Sequence, residues 1–139
     1  MDPENSSVLV LLVASNGDPW LREVIEGIRN QTHDDIAVIA VDNASTDGSR
    51  KLLEKAFGRD NVVGLDRRVG FGRALAAALK VVAERAIPAD AFLILHDDAV
   101  MDPESVESML DAMTRERVGI VGAKLVEYDQ PEVLQEVGL

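Results

Sequence analysis

No cysteine occurs among the 139 residues, which excludes disulfides and thiolate metal sites and fits a reducing compartment. Aromatics are scarce at 4%, too few for the stacking platform that single-stranded nucleic acid requires. Cations are outnumbered: 14 Lys and Arg face 25 Asp and Glu, a formal charge of −11. That balance repels a phosphate backbone and argues against nucleic-acid partners. A long apolar run is lacking too, since Val8 to Ala14 is far too short to span a bilayer. The opening residues 1–7 are acidic and polar, unlike a signal peptide, and read as a disordered or tag-like stretch. No internal repeat, linker or low-complexity tract stands out.

What is present is a globular composition, 47% hydrophobic and 28% charged, sufficient for one compact domain over residues 8–139. Any phosphorylated ligand of so acidic a chain needs a metal ion, a helix N-terminus or a local basic group.

The chain alternates short apolar runs with amphipathic stretches. Val8 to Ala14 reads as a strand buried on both faces, ending in the turn Ser15-Asn16-Gly17-Asp18-Pro19. Trp20, Leu21, Val24, Ile25 and Ile28 then recur at helical spacing. Ile36 to Val41 gives a second strand that stops at Asp42, and Leu52, Leu53, Ala56 and Phe57 supply a short helix ended by Gly58. Asn61 to Leu65 is a third strand, followed by a helix with Phe71, Leu75, Leu79 and Val82 on one stripe. Ala91 to Leu95 is the fourth, and Asp102-Pro103 reads as cap and first residue of a helix presenting Val106, Met109, Leu110 and Met113. A fifth strand is expected over Val118 to Val126, then a turn at Glu127 to Pro131 and an apolar pattern at Val133, Leu134 and Val137 that runs out at Leu139. Strands alternating with helices over short connections predict an α/β fold, a mainly parallel sheet with helices on both faces.

Three constellations carry chemistry. His96-Asp97-Asp98 follows an apolar strand directly, at the carboxyl edge where open parallel sheets bind ligands. Adjacent carboxylates repel, and Mg²⁺ or Mn²⁺ would relieve that repulsion while bridging to phosphates. The competing reading is that Asp98 or Asp102 only caps the next helix. His96 is open to three roles: metal ligand, contact to a ribose hydroxyl, or hydrogen bond to backbone. Asp42 ends the second strand, where an acid accepts from ribose hydroxyls or a base N–H; equally, Asp42 with Ser45 and Asp47 could shape a turn. Arg67, Arg68 and Arg73 with Gly70-Phe71-Gly72 form the main basic cluster, suited to a diphosphate or a base edge. His33 lies in a loop and is assigned no role.

Taken in order, these pieces resemble the family 2 glycosyltransferases, inverting enzymes of the Rossmann-like GT-A fold. The resemblance rests on the strand into Ala14-Ser15-Asn16, on Leu21, on Gln31-Thr32, and above all on Val41-Asp42-Asn43-Ala44-Ser45-Thr46-Asp47-Gly48-Ser49. Gly70-Phe71-Gly72-Arg73-Ala74, His96-Asp97-Asp98-Ala99 and Asp102-Pro103 complete it, over roughly residues 8 to 126. Three positions depart from the family pattern: His96 stands where Asp is usual in the DxD-type motif, and Arg68 and Ala76 stand where Asn is frequent.

The resemblance implies transfer of a sugar from a UDP-, GDP- or dTDP-sugar to a hydroxyl of a glycan, lipid or protein acceptor, with inversion. It implies a donor nucleotide site at Ala14, Ser15, Asn16, Asp42, Arg73, His96 and Asp97, and Mg²⁺ or Mn²⁺ on Asp98. A cytoplasmic location is expected, at the cytoplasmic face of a membrane if segments outside this chain attach there. Inverting transfer needs a base for the acceptor proton. No residue here suits that role, so the base and acceptor half are expected beyond Leu139, and the chain alone is expected not to transfer sugar. Two other classes compete: a non-catalytic nucleotide-binding or interaction domain of the same fold, and an unrelated Mg²⁺-binding α/β domain such as a phosphoreceiver. A receiver places its acids after the first strand, where this chain has Ser15-Asn16-Gly17.

Overall fold

A computed structural model describes residues 1–137. The chain runs β1 (Val8–Ala14), α1 (Asp18–Arg29), β2 (Ile36–Asp42), α2 (Ser49–Phe57), β3 (Val62–Gly64), α3 (Phe71–Arg85), β4 (Ala91–His96), α4 (Ser105–Glu116), β5 (Lys124–Val126) and β6 (Leu134–Val137). Four strands form a parallel sheet in the order β3-β2-β1-β4. The order reverses at β1: the chain first builds outward through β2 and β3, then returns to place β4 on the other side. Such a switch point opens a crevice at the carboxyl ends of the strands.

β1 is the buried centre, every residue of it buried, because it has a strand on each side and helices on both faces. Val10, Leu12 and Ala14 face α1 and α2, packing with Leu21, Val24, Ile25, Ile28 and Leu53. Val8 shares that face and meets Val106 and Leu110 of α4. Leu9, Leu11 and Val13 point the other way, onto Ala74, Ala78 and Val82 of α3. α3 alone covers this second face, and the edge strand β4 is left partly bare: Phe92 and Ile94 are 53% and 51% exposed.

Several expectations are corrected. Trp20, placed on the apolar stripe of α1, is 59% exposed; it is one position off the buried set that begins at Leu21. On α3 the residues pressed to the sheet are the small Ala74 and Ala78, while Leu79 is exposed, since small side chains let a helix approach a flat sheet closely. Met109 and Met113 of α4 are only half-buried beside the buried Val106 and Leu110. The expected fifth strand is not part of the parallel sheet. Residues 118–123 form no strand, Ile120 is 84% exposed, and Lys124–Val126 pairs antiparallel with Leu134–Val137. Gly119 and Gly122 weaken the run as a strand, and the turn at 127–131 closes a hairpin instead. Leu139 lies outside the described residues.

The amino terminus is more ordered than its composition suggests. Pro3–Asn5 is a 3-10 turn whose Glu4 N–H is capped by Asp2. The buried His33 ring donates from Nε2 to the Ser6 carbonyl at 2.7 Å, and Ser7 is held by Asp90 through its N–H and hydroxyl, both at 2.9 Å. Those serine bonds hold the Asp90 carboxyl below its usual pKa.

Candidate active site

The parallel register fixes the site. Ala14 lies opposite Asp42, and Val13 opposite His96, so β1, β2 and β4 end level and deliver their following turns to one edge. Asp42 and the 96–98 segment are thus brought together, as the sequence implied.

Three turns are stitched across this edge. In the first, the Ser15 N–H donates to Asp97 Oδ2 at 2.8 Å, bridging the crevice between β1 and β4. Gly17 is buried against the same carboxylate: a Cβ there would lie 2.6 Å from Asp97 Oδ2 and 2.9 Å from its Cγ. Gly17→Ala should therefore push Asp97 off Ser15 and destabilise the fold by about 1–2 kcal/mol. Urea unfolding gives the test, and an unchanged midpoint would show that the crevice has slack at this point.

The second turn, Asn43 to Gly48, is tied to the first by side chains. Ser45 Oγ accepts from the Asn16 N–H at 3.0 Å, Asn16 Oδ1 accepts from the Thr46 N–H at 2.8 Å, and Ser49 Oγ accepts from the buried Gly17 N–H at 2.9 Å. Asp47 takes the Ser49 N–H at 2.9 Å and the Asp18 N–H at 3.1 Å. Desolvation acts to raise the Asp47 pKa, but its bonds to Ser49 and Asp18 outweigh that and hold it below the ordinary carboxylate value. Asn16 and Ala44 both take left-handed backbone, at φ 53° and 54°. Asn tolerates this region; Ala pays a steric penalty of about 1 kcal/mol there, so the surrounding bonds must hold the turn.

The third turn is clamped by Asn43, whose side chain donates to the Val69 carbonyl at 2.8 Å and accepts from the Val69 N–H at 2.9 Å. This sets the segment before α3, where Leu65, Asp66, Arg67, Val69 and Arg73 line an open concavity of about 420 Å³. Arg73, in the first turn of α3, and Arg68 are exposed there. Phe71 and His96 stack with centroids 4.2 Å apart and planes 10° from parallel.

Asp42 is the outlier. It is 3% exposed, and its Oδ1 has no hydrogen-bond partner among the described residues. A buried acceptor without a donor is costly, so this atom is an unmet demand for an N–H or O–H. Asp97 already spends one oxygen on Ser15, whereas Asp98 is exposed at the rim. Among the described residues no three acidic or His groups converge to hold a metal ion unaided. The donor set instead suits a hard cation that keeps waters and takes phosphate oxygens beside one carboxylate, the usual habit of Mg²⁺.

Two structural roles were hidden from the sequence. Asp102-Pro103 does not cap α4, which starts at Ser105 without a side-chain cap from its own segment. The cap comes from Gln31: its Oε1 accepts from the Val106 N–H at 3.0 Å while its Nε2 donates to the carbonyls of Gly27 and Asp102 at 2.9 and 2.7 Å. No local pattern could reveal a cap supplied across the fold. The Phe71–His96 stack likewise has no signature in the local sequence.

Strand order, level register and a rim of carboxylates define an α/β domain of the GT-A type, with its ligand edge at the switch point. Residues 9–137 match the model of the family described as Glycosyl transferase family 2, and the chain belongs to that family. EpsH of Bacillus subtilis (strain 168) is 34% identical over 58 residues, 42% of this chain and 17% of EpsH. Among solved structures, S. aureus TarS 1-349 in complex with UDP-GlcNAc superposes with a TM-score of 0.67 at 18% identity, over 86% of this chain and 37% of TarS. Mannosyltransferase PcManGT from Pyrobaculum calidifontis, in complex with GDP-Man and Mn²⁺, gives 0.67 at 23% identity, over 91% of this chain and 37% of its own. The chain thus spans well under half the length of the proteins it matches. Among the described residues no helix is long and apolar enough to cross a membrane.

Proposed function

We propose that this domain binds the nucleoside diphosphate of a sugar donor and serves transfer of the sugar to an acceptor hydroxyl with inversion. The observation that carries the reading is the buried Asp42 Oδ1 at the carboxyl edge of the sheet, which has no partner among the described residues. A nucleobase N–H or a ribose hydroxyl supplies the donor it lacks. Ser15 and Asn16, fixed by Asp97 and Ser45, form the wall behind the nucleotide with Ala14. Arg73 offers positive charge to the diphosphate where the chain as a whole is acidic, and His96 presents its ring to the donor from the end of β4. Asp97 holds the first turn in place.

Asp98 is the ligand for Mg²⁺ or Mn²⁺. A divalent ion held there would supply positive charge opposite the diphosphate. Solved structures of similar fold with Mn²⁺ alongside GDP-Man or UDP support the use of a divalent ion, and those with UDP-GlcNAc or GDP-Man support a nucleotide-sugar donor. Inverting transfer also needs a base for the acceptor proton; none is assigned to residues 1–137.

Calorimetry with UDP and GDP, with Mg²⁺, with Mn²⁺ and with EDTA, tests the site. One nucleotide should bind at least about tenfold tighter with metal, the size of one charge-assisted contact, and Asp98→Ala should abolish the enhancement. Equal affinity with and without metal, or an undiminished effect in Asp98→Ala, overturns the assignment of Asp98.

A further inference from the structure

His96 stands on the α3 face of the sheet, in line with Phe92 and Ile94 and opposite Val13. Its side chain is exposed, and among the described residues its ring nitrogens have no hydrogen-bond partner. An exposed imidazole with free nitrogens would ordinarily sample several rotamers. Here one face of the ring is covered by Phe71, at a centroid distance of 4.2 Å and an interplanar angle of 10°.

Phe71 is itself held. It opens α3, is half-buried, and packs against the cluster of Leu9, Leu11, Val13, Ile39 and Val41. Two residues before it, Val69 is clamped by both ends of the Asn43 side chain, and Asn43 adjoins Asp42. A chain of contacts therefore runs from Asp42 through Asn43, Val69 and Phe71 to the imidazole.

We propose that Phe71 is a positioning residue for donor binding that acts through His96. The stack selects one plane for the imidazole, so its in-plane nitrogens, one donor and one acceptor in the neutral ring, face the ligand edge at a fixed angle to Asp42. The inference rests on the donor-site reading given above. It adds why a histidine serves at the end of β4: the ring is usable there because an aromatic at the start of α3 holds it.

The test is a double-mutant cycle on nucleoside diphosphate affinity with Mn²⁺, using the full chain. Phe71→Leu should weaken binding about two- to tenfold, the range expected for losing a stacked aromatic pair. Phe71→Tyr, which keeps the ring, should restore most of the affinity. In a His96→Ala background Phe71→Leu should change affinity less than about twofold, because the residue it acts through is gone. Proton NMR gives a second, ligand-independent readout: the His96 ring protons should be shielded by the phenyl ring and lose that shielding in Phe71→Leu. An equal loss from Phe71→Leu in both backgrounds would make Phe71 a packing residue and overturn the proposal, as would unshifted His96 protons. If wild type binds no nucleoside diphosphate while the ring protons are shielded, the donor-site reading falls and takes this role with it.

Discussion

Asp42→Asn should leave the fold at least as stable as wild type while weakening nucleoside diphosphate binding about 10- to 100-fold. The two effects have one origin. In the free protein the Asp42 carboxylate is 3% exposed and its Oδ1 finds no donor among the described residues, and an unmet buried polar atom costs about 1–3 kcal/mol. Asparagine has the same shape without the charge, so it relieves part of that cost, and a gain of about 1 kcal/mol is expected. On the proposed reading a bound nucleotide supplies the missing donor, and a hydrogen bond to a charged group contributes about 1.5–3 kcal/mol, which sets the expected loss in affinity. Urea unfolding and calorimetry on the same preparation measure both. A variant that lost stability and binding together would make Asp42 a structural acid, and one that bound normally would remove it from the site.

Gln31→Leu should destabilise the protein by about 3 kcal/mol without any contact to the ligand. The substitution strips the Val106 N–H of its acceptor and leaves the Gly27 and Asp102 carbonyls without a donor. Each buried group left unpaired costs about 1–3 kcal/mol, and water recovers part of the sum. Gln31→Glu is the informative companion. It keeps an acceptor for Val106 but sets a carboxylate oxygen against two carbonyls, so it should fail to restore wild-type stability. If Gln31→Leu unfolds within about 1 kcal/mol of wild type, solvent replaces the amide and the junction of α1 with α4 is not held by it.

The parallel sheet was legible because its strands are continuous apolar runs that stop at polar turns: Val8–Ala14 appears as read, and β2 and β4 extend the expected strands by only Asp42 and His96. Level register then follows, since each run ends where its acid or turn begins, and this is why Asp42 and His96-Asp97-Asp98 could be assigned to one edge. The same cue misled at Val118–Val126, where an apolar run interrupted by two glycines looks like a strand but pairs only over Lys124–Val126. Apolar character says that a segment can be buried, not which neighbour buries it. Helix faces were legible to within a position: Leu21, Val24, Ile25 and Ile28 are buried as the spacing predicts, while Trp20 is not, and alanines outrank leucine on α3. Long-range polar bonds were not legible at all. Nothing near Ser105 announces that Gln31 caps the helix, and no spacing rule pairs Phe71 with His96.

The run Asn43-Ala44-Ser45-Thr46-Asp47-Gly48-Ser49, the most recognisable words in this sequence, is spent almost wholly on the protein itself. Ser45, Thr46, Asp47 and Ser49 bond to the backbone or side chains of Asn16, Gly17, Asp18 and each other, and Asn43 is committed to Val69. The acid just before it, Asp42, has a buried oxygen with no partner among the described residues. The side chains of the run are thus accounted for by the fold itself, whatever binds at the edge. On the proposed reading, family membership is written in Asn43 to Ser49 and donor binding in Asp42 and Asp98, which lie outside that run, so a substitution at either acid with the run intact would mark a domain that keeps the family's fold without its ligand.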